Sequence, residues 1–289
     1  MKKTVMVTGA SGFVGRQVIS KLVDREFKVK AIIRKGKENF LKKKHCKVEL
    51  IKTNDLFEES IDWWAEQCEG VDIIIHVAWY VEPGKYLQST KNINCLIGSL
   101  NLARGAIQAG IKKFIGIGTC FEYDLNFGNL SINTPLKPVS LYAATKVGLY
   151  TTLCQLLPLN SIEFAWCRLF YLYGEGEDER RVVPYIHKQL REGKKVHLTN
   201  GKQERDFLDV SEASKIITDI ATGPQKGPIN ICSGRSITVR ELAENIADKY
   251  NRRDLLNFGV KNKNLIDPLK IVGVPNFNLY ENNNINYKT

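Results

Sequence analysis

The stretch that decides the fold is TVMVTGASGFVG, residues 4–15. It begins with a short apolar run that predicts a buried strand at Thr4–Val7, and it continues through a glycine turn into an amphipathic stretch. Glycines at such a junction allow a tight turn and let the backbone approach a pyrophosphate, while the helix N-terminus supplies positive partial charge. The stretch therefore predicts a dinucleotide site at the first strand-helix junction. We expect the cofactor to contact Gly9, Ser11, Gly12, Phe13, Val14 and Gly15.

The pattern around this stretch predicts the rest of the sheet. From residue 3 to about residue 170, short β-branched runs alternate with longer amphipathic stretches, as in βαβ units. Further strands are predicted at Val29–Ile33, Val48–Ile51, Ile73–His76, Phe114–Ile117 and Phe164–Arg168. Helices are predicted at Gly15–Asp24, Asn94–Ala109 and Leu141–Leu157, the last ending before Pro158. The predicted fold is α/β, a doubly wound parallel sheet of the Rossmann type with helices on both faces.

The chain divides into three predicted regions. Residues 1–170 are predicted to form a Rossmann domain that binds the dinucleotide, and residues 171–275 are predicted to form a smaller C-terminal α/β substrate-binding region interleaved with it. In that second region the texture changes to short mixed segments, with a helix at Val239–Tyr250 and a strand at Pro228–Cys232. Residues 276–289 are rich in Asn and lack periodicity, so we expect a disordered tail.

Composition excludes several classes of protein. The chain has 289 residues, 43% of them hydrophobic and 25% charged, which is ordinary for a soluble globular enzyme. No apolar run approaches the roughly 20 residues of a membrane helix, so no membrane partner is expected. The basic and apolar start is too short for a secretory signal and leads into the glycine turn. Seven scattered cysteines without CxxC pairs predict neither a metal site nor disulfides, and they favour a cytoplasmic location.

The net charge of +11 raises the question of nucleic acid. Much of the excess lies between Arg34 and Lys47, and no recognisable nucleic-acid-binding motif accompanies it. We therefore expect no nucleic-acid partner. The same charge suits small anionic ligands.

The end of the second predicted strand bears on the choice of cofactor. An acidic residue there would hydrogen-bond the ribose 2′-hydroxyl of NAD and repel a 2′-phosphate. This chain has Ile33-Arg34-Lys35 instead, and a guanidinium suits bidentate contact with phosphate. Arg34 therefore predicts NADP(H), with NAD as the alternative if Arg34 simply belongs to a solvated basic loop.

A second set of residues predicts acid-base chemistry. Tyr142 and Lys146 are four residues apart at the start of a predicted helix, so they share one face. A phenol works as an acid or base only when a nearby cation stabilises phenolate, and Lys146 can supply that cation. Thr119, at the end of a predicted strand, offers a hydroxyl to the same substrate oxygen. Singly these are ordinary surface residues, but their order after the glycine turn makes a chance match improbable.

From residue 4 to about residue 273 the chain resembles the extended short-chain dehydrogenase/reductases, which include nucleotide-sugar epimerases, dehydratases and reductases. The segments that carry the resemblance are TGASGFVG, Asn54-Asp55-Leu56, His76-Val77-Ala78, NLARGA from Asn101, YAATK, RLFYLYG from Arg168, RRVVPYI, GKQERDFLDV and NICSGRSITVRELA. The resemblance implies that Thr119, Tyr142 and Lys146 form a catalytic triad. It also implies a homodimer, formed by the helices at Asn94–Ala109 and Leu141–Leu157.

The same resemblance implies the binding residues. For the cofactor, Asp55 and Leu56 would touch adenine, Ala78 would line the nicotinamide side, and Phe170 of the RLFYLYG segment would lie nearby. For the substrate, Arg205 would clamp the nucleotide diphosphate, a role that its forked donors suit. Trp79, Tyr80 and Tyr171 differ from the residues common in the family and predict a remodelled sugar pocket.

The remaining question is the reaction. Family dehydratases carry an Asp-Glu pair directly after the Thr, where this chain has Cys120 and Phe121, so dehydration is disfavoured. Reductases that also epimerise use a Cys there and a His after the YG turn, but Glu175-Gly176-Glu177 follow that turn, so Cys120 is interpreted as structural.

Three functions stay open. The first is NADPH-dependent reduction of a 4-keto-6-deoxyhexose on dTDP or CDP, for polysaccharide precursors, which the resemblance of GTCFEYD and LTNGKQERDFLDV to such reductases favours. The second is a nucleotide-sugar 4-epimerase that retains NAD. The third is a non-catalytic NADP-binding sensor, which the presence of both Tyr142 and Lys146 disfavours.

Overall fold

The computed structural model describes residues 2–38, 48–261 and 268–277. In chain order the strands are β1 (Thr4–Thr8), β2 (Lys28–Arg34), β3 (Val48–Thr53), β4 (Ile73–His76), β5 (Lys113–Thr119), β6 (Asn129–Leu130), β7 (Glu163–Leu169), β8 (Tyr171–Tyr173), β9 (Val196–His197), β10 (Glu204–Arg205), β11 (Phe207–Asp209), β12 (Gly227–Ile231), β13 (Ile237–Thr238), β14 (Leu256–Asn257) and β15 (Lys270–Gly273). The helices are α1 (Phe13–Asp24), α2 (Ile61–Gln67), α3 (Lys91–Gln108), α4 (Leu141–Leu159), α5 (Val182–Arg191), α6 (Val210–Thr222) and α7 (Val239–Asp248).

Seven strands form one parallel sheet in the order β12-β7-β5-β4-β1-β2-β3. Chain order runs outward in both directions from β1, so the topological switch point lies between β1 and β4. Ligands bind at such a point, beyond the carboxyl ends of the strands. The predicted doubly wound Rossmann fold is confirmed.

Two apolar layers cover the sheet. On one face α1 and α6 bury their apolar sides, for example Val18 and Ile217, against strand residues such as Val7. On the other face α2, α3 and α4 pack through residues such as Trp64 and Leu153. This burial explains why the inner strands read as continuous apolar runs rather than as alternating ones.

Most of the smaller region lies after β7 in the chain, and β6, which precedes β7, also belongs to it. It contains a four-stranded sheet in the order β13-β10-β15-β6, the pairs β8–β11 and β9–β14, and helices α5 and α7 around their own apolar cluster. The chain returns from this region to the large sheet, since β12 pairs with β7 and α6 covers the face beside α1. The two parts are therefore interleaved in the chain.

Some predicted ends differ from the observed ones. The helix that we expected to stop before Pro158 runs to Leu159, because a proline in the last turn removes only one late N–H bond. The helix predicted to reach Tyr250 ends at Asp248. Asn276, at the start of the expected tail, donates to Pro228 O at 3.0 Å and accepts from the Asn230 N–H at 2.9 Å. Residues 278–289 lie outside the described part of the chain.

Candidate active site

The glycine turn lies at the switch point. Gly9 has φ +66°, and a Cβ there would lie 2.8 Å from the Ala78 backbone, so only glycine lets β1 and the end of β4 come so close. A Cβ on Gly15 would lie 2.2 Å from Gly9 O, which ties the helix to the turn. No side chain caps α1 at Gly12, so its first N–H groups point outward uncapped. This arrangement fits the pyrophosphate of a dinucleotide, which Ser11, Phe13 and Val14 would hold.

A buried chain of hydrogen bonds holds the turn against β4. Ser99 donates to Cys95 O at 2.6 Å and accepts from His76 Nε2 at 2.7 Å. The other ring nitrogen, Nδ1, therefore accepts from the Thr8 hydroxyl at 2.8 Å, and that hydroxyl accepts from the Ala78 N–H at 3.3 Å. Burial, with the nearby Lys146 charge, lowers the pKa of His76 to about 3, so the ring is neutral.

Thr119 is the last residue of β5 and is buried. Its backbone N–H donates to Glu122 Oε1 at 2.8 Å, and its hydroxyl accepts from the Phe121 N–H at 3.3 Å, which together form a capping box. The Thr119 hydroxyl is thereby fixed at the carboxyl end of β5.

The carboxylate of Glu122 is itself held by a buried ion pair. Arg168 Nε donates to it at 2.6 Å and Trp166 Nε1 donates at 3.0 Å. Arg168 also donates to the Tyr123 hydroxyl at 3.1 Å, which in turn donates to Asn230 Oδ1 at 2.7 Å. The pair satisfies two charges that burial would otherwise make costly.

Tyr142 lies in the first turn of α4. Ser140 caps α4 by accepting from the Ala143 N–H at 3.2 Å, which fixes the first turn that carries Tyr142. Burial raises the pKa of Tyr142 above its usual value, Tyr86 adds to this, and a hydrogen bond with the Thr119 side chain opposes it. We expected Lys146 to make the phenol more acidic, but here burial outweighs other influences.

Lys146 lies one turn further along α4 and is buried. Its ammonium donates to Ile117 O of β5 at 2.6 Å and lies 3.7 Å from the centroid of the Trp79 ring. Burial lowers the pKa of Lys146 to about 7, while Glu122 and Cys95 act in the opposite direction. The ammonium is thus held between the backbone of β5 and the Trp79 indole.

The residues predicted on the adenine side lie at the ends of β2 and β3. Arg34 is the last residue of β2 and is exposed, with Lys35 next to it. Asp55 follows β3 and accepts from the Phe57 N–H at 3.0 Å, while Leu56 packs against the apolar cluster below α2 and α3.

The residues predicted to contact substrate come from different elements and have different neighbours. Tyr171 and Arg205 lie together, with the guanidinium 5.5 Å from the Tyr171 ring centroid, although Arg205 also donates to Glu204 O and Pro268 O. Phe170, which was predicted to lie near the cofactor, is buried in the apolar cluster with Cys120. Tyr80 donates to Glu82 at 3.0 Å. Trp79 packs against Lys146.

The structure adds residues that sequence reasoning missed. Tyr86 packs its ring edge-on against Tyr142, with centroids 4.9 Å apart at 85°. The Arg181 guanidinium lies 5.9 Å from the centroid of the Tyr86 ring, and Arg180 pairs with Glu82 at 3.9 Å, so the start of α5 meets the segment after β4. Nothing in the sequence signals this contact, because residues 86 and 181 are far apart in the chain and no local pattern links them.

Cys120 has a structural role in this site. Its side chain is buried, and burial raises the pKa of the thiol to about 12. The thiol is therefore not ionised at neutral pH and does not serve as a base. Within the described ranges, no group of three or more His, Cys, Asp or Glu residues could hold a metal ion. In the same ranges, every helix is too short or too polar to cross a membrane.

The switch-point glycine turn and the Thr119–Tyr142–Lys146 set together define the class, an extended short-chain dehydrogenase/reductase. The chain belongs to the NAD dependent epimerase/dehydratase family, whose sequence profile matches residues 5–232.

Relatives in this family differ in the reaction that their names state. The dTDP-6-deoxy-L-talose 4-dehydrogenase (NAD(+)) of Aggregatibacter actinomycetemcomitans is 24% identical over 251 residues, 86% of this chain and 90% of that protein. The putative UDP-glucose 4-epimerase of Methanocaldococcus jannaschii is 26% identical over 267 residues, 86% of this chain and 83% of that protein. The solved UDP-N-acetylglucosamine 4-epimerase of Methanobrevibacter ruminantium M1, in complex with UDP-N-acetylmuramic acid, has a TM-score of 0.80 at 27% identity, covering 95% of this chain and 89% of that chain.

Proposed function

We propose that this protein modifies nucleotide sugars as an NADPH-dependent 4-ketoreductase, acting on a 4-keto-6-deoxyhexose linked to dTDP or CDP. The observation that carries the proposal is the burial of both hydroxyl-bearing residues, with Thr119 at the carboxyl end of β5 close enough to lower the pKa of Tyr142 against the effect of burial. At the two positions directly after Thr119, Cys120 and Phe121 supply no further acid or base for the elimination of water.

The chemistry of the two hydroxyls suits reduction of a ketone. The hydride for carbon 4 is what bound NADPH supplies. Tyr142 donates its phenolic proton to the carbonyl oxygen as the alcohol forms, and its raised pKa keeps that proton in place at neutral pH. Thr119 polarises the carbonyl by donating a hydrogen bond to the same oxygen. The Lys146 ammonium offsets the charge of the phenolate that remains.

The relative from Aggregatibacter supports the position of the reacting carbon, since its name states a 4-dehydrogenase acting on a dTDP-6-deoxyhexose. A dehydrogenase and a ketoreductase run one reaction in opposite directions. That relative uses NAD(+), so the choice of NADPH in this chain rests on Arg34 alone.

Turnover can be tested directly. Adding dTDP-, CDP-, GDP- and UDP-linked 4-keto-6-deoxy sugars to the protein with NADPH should oxidise one NADPH for each alcohol formed with the dTDP or CDP substrate. Tyr142→Phe should lose most of the rate and keep cofactor binding. Tyr250→Phe is the matched control and should retain activity. Tyr250 contacts His187 in the apolar cluster of α5 and α7 rather than the triad.

The cofactor choice has its own test. Fluorescence titration should give a lower Kd for NADPH than for NADH, and Arg34→Ala should remove the difference. Lys28→Ala changes an exposed cation at the opposite end of β2 and should leave the preference intact. Tighter binding of NADH by the unmodified protein would show that the assignment to NADPH is wrong.

A 4-epimerase is the second candidate, favoured by the similarity to the epimerase from Methanobrevibacter. The same assay separates the two functions. An epimerase interconverts two sugars without net consumption of cofactor and is purified with NAD bound.

We also propose a homodimer that pairs α3 and α4 of two chains. These helices pack side by side, and Ile93 and Ile97, one turn apart on α3, are 40% and 54% exposed. Light scattering should give twice the mass of the chain, and Ile97→Asp should give the mass of one chain.

A further inference from the structure

The indole of Trp79 forms a platform for the ammonium of Lys146. Lys146 Nζ lies 3.7 Å from the centroid of the Trp79 ring, and it donates to Ile117 O at 2.6 Å. The ring of Trp166 is farther away, at 5.8 Å. A cation at such a distance over an indole face is attracted by the quadrupole of the ring, and burial strengthens the attraction.

The platform is held in place by several elements. Trp79 Nε1 donates to Asn92 Oδ1 of α3 at 2.8 Å. The amide of Asn92 donates in turn to Tyr86 O at 2.6 Å and to Ser89 O at 2.8 Å. The ring of Phe57 meets the indole edge-on, with centroids 6.3 Å apart. The indole face is therefore presented to Lys146 in one orientation.

The other groups around Lys146 do not replace this platform. From α3 the Cys95 thiol faces it, and burial raises the pKa of that thiol to about 11. From β4 the His76 ring is neutral, and on its own helix Tyr142 is a protonated phenol. Glu122, after β5, acts from a distance and is already paired with Arg168. In the described part of the chain, no ion pair is made by Lys146.

We propose that Trp79 is a positioning residue that holds the ammonium of Lys146 against β5, one helical turn along α4 from Tyr142. The inference rests on the proposed function, because that function gives Lys146 its role in stabilising phenolate. In the family resemblance Trp79 takes the place of a smaller residue, so this chain has added an aromatic face to the lysine site.

The titration of Lys146 can be measured without turnover. Protein labelled with ¹³C at lysine Cε is titrated by NMR, and the Lys146 signal is identified by its loss in Lys146→Met. Trp79→Leu removes the aromatic face and keeps an apolar side chain, so the pKa of Lys146 should fall by about one unit. Trp79→Phe keeps a weaker face and should shift the pKa in the same direction by less than half as much.

Trp63→Leu is the matched control, since Trp63 is a half-buried indole that packs against Trp64 rather than Lys146. It should leave the Lys146 titration unchanged. An unchanged or higher pKa in Trp79→Leu would overturn the inference, and if that variant does not fold, an unchanged pKa in Trp79→Phe does the same. Failure of every nucleotide sugar to oxidise NADPH would instead refute the proposed function and leave the NMR result standing.

Discussion

At the scale of single residues, the buried carboxylate of Glu122 fixes the backbone that carries Thr119. Glu122 accepts from the Thr119 N–H and is buried against Arg168 and Trp166. The Glu122 carboxylate therefore fixes the backbone at the end of β5 and neutralises the buried charge of Arg168. A neutral amide has the right shape for this place but leaves the Arg168 charge without its partner.

Glu122→Gln should therefore lower the free energy of unfolding by roughly 3–5 kcal/mol, the usual effect of removing one member of a buried ion pair. Urea unfolding followed by circular dichroism measures it. Glu179→Gln is the control, because Glu179 forms an exposed pair with Lys188 and its loss should cost far less than the loss of Glu122. Equal losses in the two variants would contradict the role given to Glu122.

At the scale of elements, α3 approaches the segment after β3 through a glycine. A Cβ on Gly98 would lie 2.4 Å from the Phe57 backbone, directly beside Asp55 and Leu56. In α4, by contrast, a Cβ on Gly148 would meet nothing closer than Leu96 at 3.9 Å. Of these two helical glycines, only Gly98 is required for close packing near the expected adenine site.

Gly98→Ala should destabilise the protein by about 1–3 kcal/mol through overpacking, and it should weaken cofactor binding by displacing residues 55–57. Gly148→Ala is the matched change and should add up to about 1 kcal/mol of stability, because alanine is the better helix former. Thermal unfolding and cofactor titration of the two variants test this. An unchanged cofactor affinity in Gly98→Ala would show that the packing of Gly98 against Phe57 does not support the cofactor site.

At the scale of the whole molecule, one histidine joins the two halves of the switch point. His76 connects Thr8 of β1 with Ser99 of α3, and it is neutral because burial lowers its pKa to about 3. An unfolded chain takes up a proton on this ring below about pH 6.5, whereas the folded protein does not until about pH 3. Its contribution to stability is therefore full above pH 6.5 and is lost as the pH falls toward 3.

The free energy of unfolding should fall between pH 6.5 and pH 4 by as much as about 1.4 kcal/mol per pH unit from this ring. His76→Gln keeps a donor and an acceptor but does not titrate, so its acid slope should be shallower even where its stability at pH 7.5 is lower. His187→Gln removes a half-buried ring and should keep most of the slope. The same acid slope in His76→Gln and the unmodified protein would disprove the assignment.

The local pattern of the sequence was enough for the sheet and the first strand-helix junction. Alternating apolar runs and amphipathic stretches predicted where six of the seven strands of the large sheet lie along the chain, because burial on both faces of a parallel sheet requires continuous apolar runs. The seventh, β12, was predicted as a strand of the smaller region, but it pairs with β7 in the large sheet. Gly9 and Gly15 were predicted for the same reason, since a close backbone approach demands glycine wherever it occurs. The positions of Thr119, Tyr142 and Lys146 followed from their places at strand and helix ends, while their roles stay a prediction.

The tertiary structure decided what surrounds those residues. The raised pKa of Tyr142 comes from burial and, to a smaller extent, from the nearby Tyr86, and the position of Lys146 comes from Ile117 and Trp79, which are far from it in the chain. The same holds for Arg181, which reaches Tyr86 across nearly a hundred residues. Side chains brought together from different elements share a dielectric environment that no local pattern encodes, and that environment sets which groups carry a proton.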